Sequence, residues 1–274
     1  MKRGTALVIS GGGLGCSWSV GALLALVKKY NFTSPDILIA GSGSAGTGAY
    51  FVSGQYDSIE NIWSNLLSTS KFVSLKRLRK VINIDYLIDE VFKKQDPLDT
   101  SRIYKSKIDF LIPLTDAHTG EVKYFSNRDR QDIFEILRAS KAMPFFYGKK
   151  IKIRDRYYID SRFSTRIELH LQKAISMGAK NIIAINTSGL YRPFKLIFDF
   201  FIFLKSLKQK QFFKENLDKI KTFKYPEDIN IVFLSPNSSS KIATFNNKQE
   251  VLKKNIEDGL SYAEESEELK EFFR

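Results

Sequence analysis

Cysteine and histidine are scarce in this chain of 274 residues, which contains one Cys and two His. The single cysteine, Cys16, excludes an internal disulfide framework and is typical of a reducing compartment. No apolar run reaches the roughly 18 to 20 residues of a membrane-spanning helix, and the first residues do not have the pattern of a signal peptide. No repeat or long linker divides the chain, and 43% hydrophobic residues suffice for a core. We therefore expect one domain over 1–274, in the cytoplasm.

Positive charge exceeds negative charge, with 43 Lys and Arg against 30 Asp and Glu and a formal net charge of +13. Such an excess favours anionic partners, either nucleic acid or an acidic lipid surface. Residues 190–224 hold nine Lys or Arg against three Asp or Glu, whereas residues 257–274 hold two against seven. No nucleic-acid recognition motif accompanies the basic residues, so we expect no nucleic acid among the partners.

Strand-like runs alternate with helical patterns in the first half of the chain. The runs TALVIS (5–10) and DILIAG (36–41) read as strands, and each leads through small residues into a helical pattern. The first of these helices is predicted from about Ser17 to Tyr30, and the second to begin near Gly46. The alternation predicts an α/β fold of three layers, with helices on both faces of a mostly parallel sheet. The acidic C-terminal residues predict one or two surface helices.

The two glycine-rich turns after these strands admit four interpretations. The second turn, GSGSAG (41–46), has the glycine spacing of a phosphate-binding loop, but Thr47 stands where the lysine is needed. The first turn, GGGLGC, resembles a dinucleotide fingerprint with Cys16 in place of the last glycine. A nucleophile elbow, Gly-x-Ser-x-Gly, would present Ser44, with Ser42 replacing the first glycine. A crossover of small residues without chemistry is the structural alternative.

The two histidines bear on the elbow hypothesis because histidine is the usual base for a serine nucleophile. His118 lies in a predicted hairpin turn and His170 in the middle of a predicted helix. Both positions are more typical of surface or packing residues than of catalytic ones. A carboxylate would therefore have to serve as the base.

Three stretches together resemble the patatin-like phospholipase family, whose catalytic machinery is a Ser-Asp dyad without histidine. The stretch LVISGGGLGCSWSVGALLAL is similar to the family's oxyanion-hole opening and GSGSAGTGAY to its nucleophile elbow. Residues 138–188 are similar to its long aspartate block, and the resemblance covers about residues 5–188. It implies a patatin-like three-layer α/β/α fold. It also implies a lipid acyl hydrolase of the phospholipase A or lysophospholipase type. Because the sequence shows neither metal-ligand spacing nor a calcium loop, we expect no cofactor or metal.

The resemblance assigns a role to individual residues. It implies Ser44 as the nucleophile that forms an acyl-enzyme and Asp160 as the general base. The amides of the first glycine turn would be the oxyanion donors, namely Gly11, Gly12 and Gly13.

The chain departs from the family pattern at three places. Gly15 and Cys16 stand where the family has Arg or Lys followed by Gly, and Ser42 stands where it has Gly. Ser161 and Arg162 follow the aspartate in place of small residues. These changes keep an alternative open, namely a non-catalytic lipid- or nucleotide-binding protein on the same scaffold.

The basic, aromatic segment 190–224 is the other unusual stretch. Its apolar part, residues 194–207, is too short to cross a bilayer and too apolar to lie alone in water. It reads either as a buried core helix or as an interfacial helix or lid. The second interpretation predicts peripheral contact with an anionic membrane through the phenylalanines at 198, 200, 201 and 203 and the surrounding lysines.

Overall fold

The computed structural model describes residues 4–74, 76–77, 80–143, 146–163, 165–187, 214–216, 218–220, 222–236 and 246–274. The strands of this part of the chain are β1 (Thr5–Ile9), β2 (Ile37–Ala40), β3 (Asp109–Asp116), β4 (Val122–Ser126), β5 (Ile151–Ile153), β6 (Arg156–Asp160), β7 (Asn181–Ile185) and β8 (Asn230–Leu234). Its α-helices are α1 (Cys16–Lys28), α2 (Gly43–Val52), α3 (Tyr56–Asn61), α4 (Thr100–Lys105), α5 (Ile133–Ser140), α6 (Ile167–Ser176), α7 (Gln249–Glu265) and α8 (Glu267–Phe272). Two segments are π-helical, Ile62–Leu66 and Tyr86–Gln95. Short 3-10 turns span Gly13–Gly15, Asn127–Asp129 and Ser161–Phe163.

These strands form one sheet in the order β5-β6-β3-β2-β1-β7-β8, with β4 paired to β3. The pairs β1–β2, β1–β7, β2–β3 and β7–β8 are parallel, and the pairs that involve β4, β5 and β6 are antiparallel. Alternate residues of β1 point to opposite faces, as the period of a strand requires. Leu7 and Ile9 pack in the apolar cluster of α1 and α2, whereas Ala6 and Val8 pack in the cluster of α6. The predicted three-layer fold with a mostly parallel central sheet is confirmed.

The pairing of β3 brings two strand ends together. β2 pairs with residues 109–111 of β3, β4 with residues 111–115 and β6 with residues 114–116. Because the β4 pairing overlaps both others, β4 occupies one edge of β3, and β2 and β6 follow each other along the opposite edge. β2 runs parallel and β6 antiparallel to β3. Their last residues, Ala40 and Asp160, therefore approach each other.

The acidic C-terminal residues form helices, as predicted, and one face of the longer helix, α7, also packs into the core. One of its faces is buried, and it packs against α1 with the ring of Tyr262 at 5.4 Å from that of Trp18. Glycines permit the close approach. A Cβ at Gly21 would lie 1.9 Å from the carbonyl oxygen of Ile256, and one at Gly259 would lie 2.1 Å from that of Trp18. The acidic residues of α7 lie on the opposite, exposed face.

The basic, aromatic segment 190–224 lies mainly outside the described residues. Within it, the structure describes only residues 214–216, 218–220 and 222–224. The four phenylalanines at 198, 200, 201 and 203 are outside them too. Across the part of the chain that the structure describes, no helix combines the length and apolar character needed to cross a membrane.

Candidate active site

Ser42 forms the sharp corner between β2 and α2. β2 ends at Ala40 and α2 begins at Gly43, so the chain turns within two residues. Ser42 adopts φ 51° and ψ −125°, a conformation that L residues other than glycine rarely adopt. Backbone strain of this kind costs on the order of 1 to 3 kcal/mol and is found most often at functional sites. The side chain is thereby held at the carboxyl edge of the parallel strands, where it lines a cavity.

Asp160 accepts a hydrogen bond from the corner serine. The Ser42 hydroxyl donates to Oδ2 of Asp160 at 2.6 Å, and the Arg162 amide donates to Oδ1 at 2.9 Å. The amide of Asp160 donates in turn to the carbonyl of Ala142, which holds the end of β6 in place. Asp160 is fully buried, and this burial raises the pKa of its carboxyl above the ordinary value, although the two hydrogen bonds act in the opposite direction.

Ser44 does not occupy the corner, so the expected pairing of Ser44 with Asp160 is wrong. It is the second residue of α2, and its hydroxyl donates to the carbonyl oxygen of Ser10 at 2.8 Å. The helix begins at Gly43, three residues before the predicted Gly46, and the corner lies at Ser42, two residues before Ser44. Ser42, which the sequence pattern places at a glycine position, therefore takes the place expected for Ser44.

The first glycine turn packs directly against this corner. A Cβ at Gly11 would lie 2.5 Å from the Cβ of Ser42, so only glycine allows this approach. A Cβ at Gly12 would lie 2.4 Å from Oγ1 of Thr187, on the side of β7. Gly13 has φ 56° and lines the same cavity as Ser42. Of the three predicted oxyanion glycines, Gly13 thus faces the cavity, whereas Gly11 and Gly12 allow close packing.

Two backbone amides at this corner lack an acceptor within their own helix. Gly13 is the first residue of a 3-10 turn and Gly43 is the first residue of α2, and the first amides of a helix have no intrahelical partner. The two residues touch, since a Cβ at Gly43 would lie 2.8 Å from the carbonyl oxygen of Gly13. The positive end of the α2 dipole adds to their field. This corner can therefore stabilise a developing negative charge beside Ser42.

An apolar cavity begins at Ser42 and runs along one face of α2. Gly43, Gly46, Thr47 and Tyr50 supply that face, at the spacing of one helical stripe. The opposite wall is apolar throughout, with side chains from Ile59, Ile62, Trp63, Leu67, Phe72, Val73, Ile82, Ile84, Leu87 and Phe92. Such a lining excludes water and accepts a hydrocarbon chain.

Two further side chains belong to the site although no sequence motif indicates a role for them. Lys141, directly after α5, lines the cavity near Ser42. Cys16 lies behind the corner, because a Cβ at Gly43 would lie 3.0 Å from its sulfur. Burial raises the pKa of the Cys16 thiol to about 11, and hydrogen bonds to Ser44 and Thr187 lower it only in part. The thiol is thus neutral, which removes it as a competing nucleophile.

Neither histidine contacts Ser42 or Asp160 through a hydrogen bond. The His118 amide donates to Oδ1 of Asp116 in the β3–β4 turn, as the hairpin prediction implies. His170 is buried on α6, with Nδ1 at 2.8 Å from the Tyr124 hydroxyl. Burial lowers the pKa of His170 to about 4, so the ring is neutral near pH 7.

His170 is expected to make the fold sensitive to acid. Its pKa rises from about 4 in the folded chain to the ordinary value of 6.5 in the unfolded chain. The unfolded state binds more protons between these values, so stability falls as the pH falls through this window. Between about pH 7 and pH 4.5 the wild type should lose roughly 2 kcal/mol more free energy of unfolding than His170→Gln. Urea unfolding of both proteins at the two pH values measures this difference, and equal losses would contradict the assignment.

Comparisons with known proteins show the family of the chain. A model of the patatin-like phospholipase family matches residues 7–164, and the chain belongs to that family of lipid acyl hydrolases. "Uncharacterized protein YjjU" of Escherichia coli (strain K12) is 26% identical over 188 residues, which are 66% of this chain and 51% of that protein. The chain thus spans about half the length of this curated relative. The crystal structure of VipD from Legionella pneumophila aligns with this chain at a TM-score of 0.50 and 11% identity, over 95% of this chain and 66% of the VipD chain. This similarity is one of fold.

Proposed function

We propose that the chain hydrolyses carboxylic esters of lipids through a Ser42–Asp160 dyad and an acyl-enzyme. The observation that carries the proposal is the hydrogen bond of 2.6 Å from the Ser42 hydroxyl to the buried Asp160 carboxylate, at a strained corner that opens into an apolar cavity. The nucleophile is Ser42 rather than Ser44, because Ser42 alone combines the corner conformation with a base.

In the acylation step the Ser42 oxygen attacks the ester carbonyl while Asp160 takes its proton. The carbonyl oxygen becomes an oxyanion beside the amides of Gly13 and Gly43, which stabilise it. The tetrahedral intermediate then collapses, the alcohol leaves with the proton from Asp160, and the acyl group stays on Ser42. In the second step Asp160 takes a proton from water, whose oxygen attacks the acyl carbonyl. Ser42 recovers its proton when the fatty acid is released.

Burial of the base suits this chemistry. A carboxylate with an ordinary pKa is too weak a base to take a serine proton near pH 7, and burial raises the pKa of Asp160. The two hydrogen bonds that Asp160 accepts lower its pKa in part and so favour the ionised form. Activity should therefore fall as the pH falls through this raised pKa, because the protonated carboxyl can no longer accept the proton.

The cavity supports an acyl chain as the group that the protein binds. Its walls beyond the corner are apolar, so each methylene that enters contributes about 0.8 kcal/mol of transfer free energy. We assign the substrate class to phospholipid or lysophospholipid esters from the family and the cavity together. The alternative, a protein that binds lipid without cleaving it, would use the same cavity and leave the dyad idle.

Ester hydrolysis by the purified protein separates these functions. We expect turnover of p-nitrophenyl esters with kcat/KM rising as the acyl chain lengthens, since longer chains fill the cavity. Asp160→Asn should lower kcat by about 10³-fold or more, because the amide is nearly isosteric but cannot accept the serine proton. Thermal unfolding of the variant is the control for its fold. A folded wild type that binds these esters without turnover would favour the non-catalytic alternative.

A further inference from the structure

A buried lysine stands in the wall of the cavity. Lys141 is only 7% exposed, and it lines the cavity that also receives Ser42. Lysines are almost never this buried unless they are paired. The neighbouring cavity side chains on this side, Leu14 and Met143, are apolar.

Backbone contacts fix Lys141 close to the reacting serine. The next residue, Ala142, accepts the hydrogen bond of the Asp160 amide at 3.2 Å, so Lys141 is tied to the end of β6. Its Cε lies 3.8 Å from the position that a Cβ at Gly46 would take. Gly46 is four residues after Ser42, which corresponds to about 6 Å along the axis of α2. The end of the Lys141 side chain therefore lies beside Gly46, one helical turn along α2 from Ser42, in the cavity that both residues line.

The protein gives this amine weak partners. Nζ lies 3.4 Å from the carbonyl oxygen of Leu137 and 3.3 Å from the hydroxyl of Ser140, both at the long end of the hydrogen-bond range. No carboxylate among the described residues lies within ion-pair distance of it. An ammonium group has three donors, and its burial without a partner is costly. An anionic partner that arrives with the ligand would remove this cost.

We propose, resting on the proposed function, that Lys141 determines specificity by binding an anionic group of the substrate within about one helical turn of the scissile carbonyl. The anion can come from either side of the ester. A phosphate would belong to the alcohol, as in an acylglycerol phosphate, and a carboxylate would belong to the acyl group, as in a dicarboxylic half-ester.

The electrostatics of the cavity agree with this role. Burial lowers the pKa of Lys141 to about 7, against the attraction of Asp160, so the amine loses much of its charge near neutral pH. An anion that enters the cavity favours the ammonium form, so it restores the charge and gains a strong, charge-assisted hydrogen bond. An uncharged ester gains nothing from this residue.

Matched ester pairs test the proposal in the purified protein. One pair is decanoylglycerol 3-phosphate and decanoylglycerol, and the other is p-nitrophenyl hemisuccinate and p-nitrophenyl butyrate. The quantity measured is the ratio of kcat/KM for the charged ester to that for the uncharged ester. Lys141→Met should lower this ratio by about 10- to 100-fold for at least one pair, the range of a single charge-assisted hydrogen bond. Lys152→Met, which removes an exposed lysine of β5, should leave both ratios unaltered.

The two ester pairs identify which side of the ester carries the anion, and their results can overturn the proposal. A fall confined to the phosphate pair places the anion on the alcohol, and a fall confined to the hemisuccinate pair places it on the acyl group. Equal losses on both members of each pair, or no change in either ratio, would overturn the role of Lys141. Turnover of the uncharged esters tests the proposed function separately. If no ester is cleaved, binding of decanoylglycerol phosphate to Ser42→Ala with and without Lys141→Met tests the lysine alone, and equal affinities would overturn it.

Discussion

Ser42→Ala is expected to lower kcat for ester hydrolysis by on the order of 10⁴-fold or more, the usual cost of removing a serine nucleophile. The variant loses the oxygen that attacks the ester and the donor that orients Asp160. The substitution leaves the corner without its side-chain oxygen but keeps the Cβ that packs against Gly11. The fold should therefore survive, which thermal unfolding checks. Steady-state rates with a p-nitrophenyl ester measure the loss.

Ser44→Ala is the matched control for this loss, because the two serines are two residues apart and both are buried. Ser44 donates to the carbonyl of Ser10, so its removal costs one buried hydrogen bond, about 1 to 3 kcal/mol of stability. Its kcat should stay within about tenfold of the wild type, since its hydroxyl is hydrogen-bonded to Ser10 and not to Asp160. A dead but folded Ser44→Ala together with an active Ser42→Ala would restore the assignment that the sequence pattern favours.

Gly21→Ala is expected to destabilise the fold by at least about 3 kcal/mol or to prevent folding, the upper range for overpacking. The added methyl group would lie 1.9 Å from the carbonyl oxygen of Ile256, and backbone atoms cannot rotate out of the way. Helices α1 and α7 would have to separate, which exposes the apolar surface between them. Urea unfolding, or the yield of soluble protein where the variant does not fold, measures the effect.

Gly4→Ala supplies the control for a glycine replacement as such. A Cβ at Gly4 would meet nothing within 4 Å, so the change in stability should stay within about 0.5 kcal/mol. Gly259→Ala, on the facing helix, should resemble Gly21→Ala, because its methyl group would lie 2.1 Å from the carbonyl of Trp18. Stability of Gly21→Ala close to that of the wild type would show that the two helices do not pack as closely as described.

The layered fold could be predicted from the sequence because its signals are local. Each of the first two strands is a short apolar run, and each ends in glycines that lead into a helical pattern. The position of the proposed base could also be predicted, because the family resemblance points to Asp160 at the end of a short strand, and Asp160 is the last residue of β6. Each of these features depends on a few adjacent residues, so a short stretch of sequence is enough to predict it.

The choice between the two serines could not be made in this way. The elbow pattern fits Ser44 better because Gly46 follows it at the right spacing, whereas Ser42 has Ala40 and Ser44 at its flanking positions. The outcome depends on where β2 stops and α2 starts. Contacts distant in sequence, from Gly11 and Gly13 on the first turn and from Asp160 on β6, fix that boundary.

The burial of Lys141 and of one face of α7 could not be predicted from the sequence for the same reason. A lysine after a helix reads as an exposed residue, and only the cavity shows that it is buried. The many acidic residues of α7 read as a surface helix, whereas Gly259 and its buried neighbours reveal a core face only when α1 lies against them. Both features depend on the tertiary packing of distant segments.

The position of a covalent adduct tests the central claim most directly. An active-serine phosphonate should add one equivalent to the folded wild type, and tandem mass spectrometry of the peptide from β2 to α2 should locate it on Ser42. Ser42→Ala should remain unlabelled and Ser44→Ala should be labelled, because only Ser42 is paired with Asp160. An adduct on Ser44 in the wild type, or labelling that persists in Ser42→Ala, would contradict the dyad proposed for this protein.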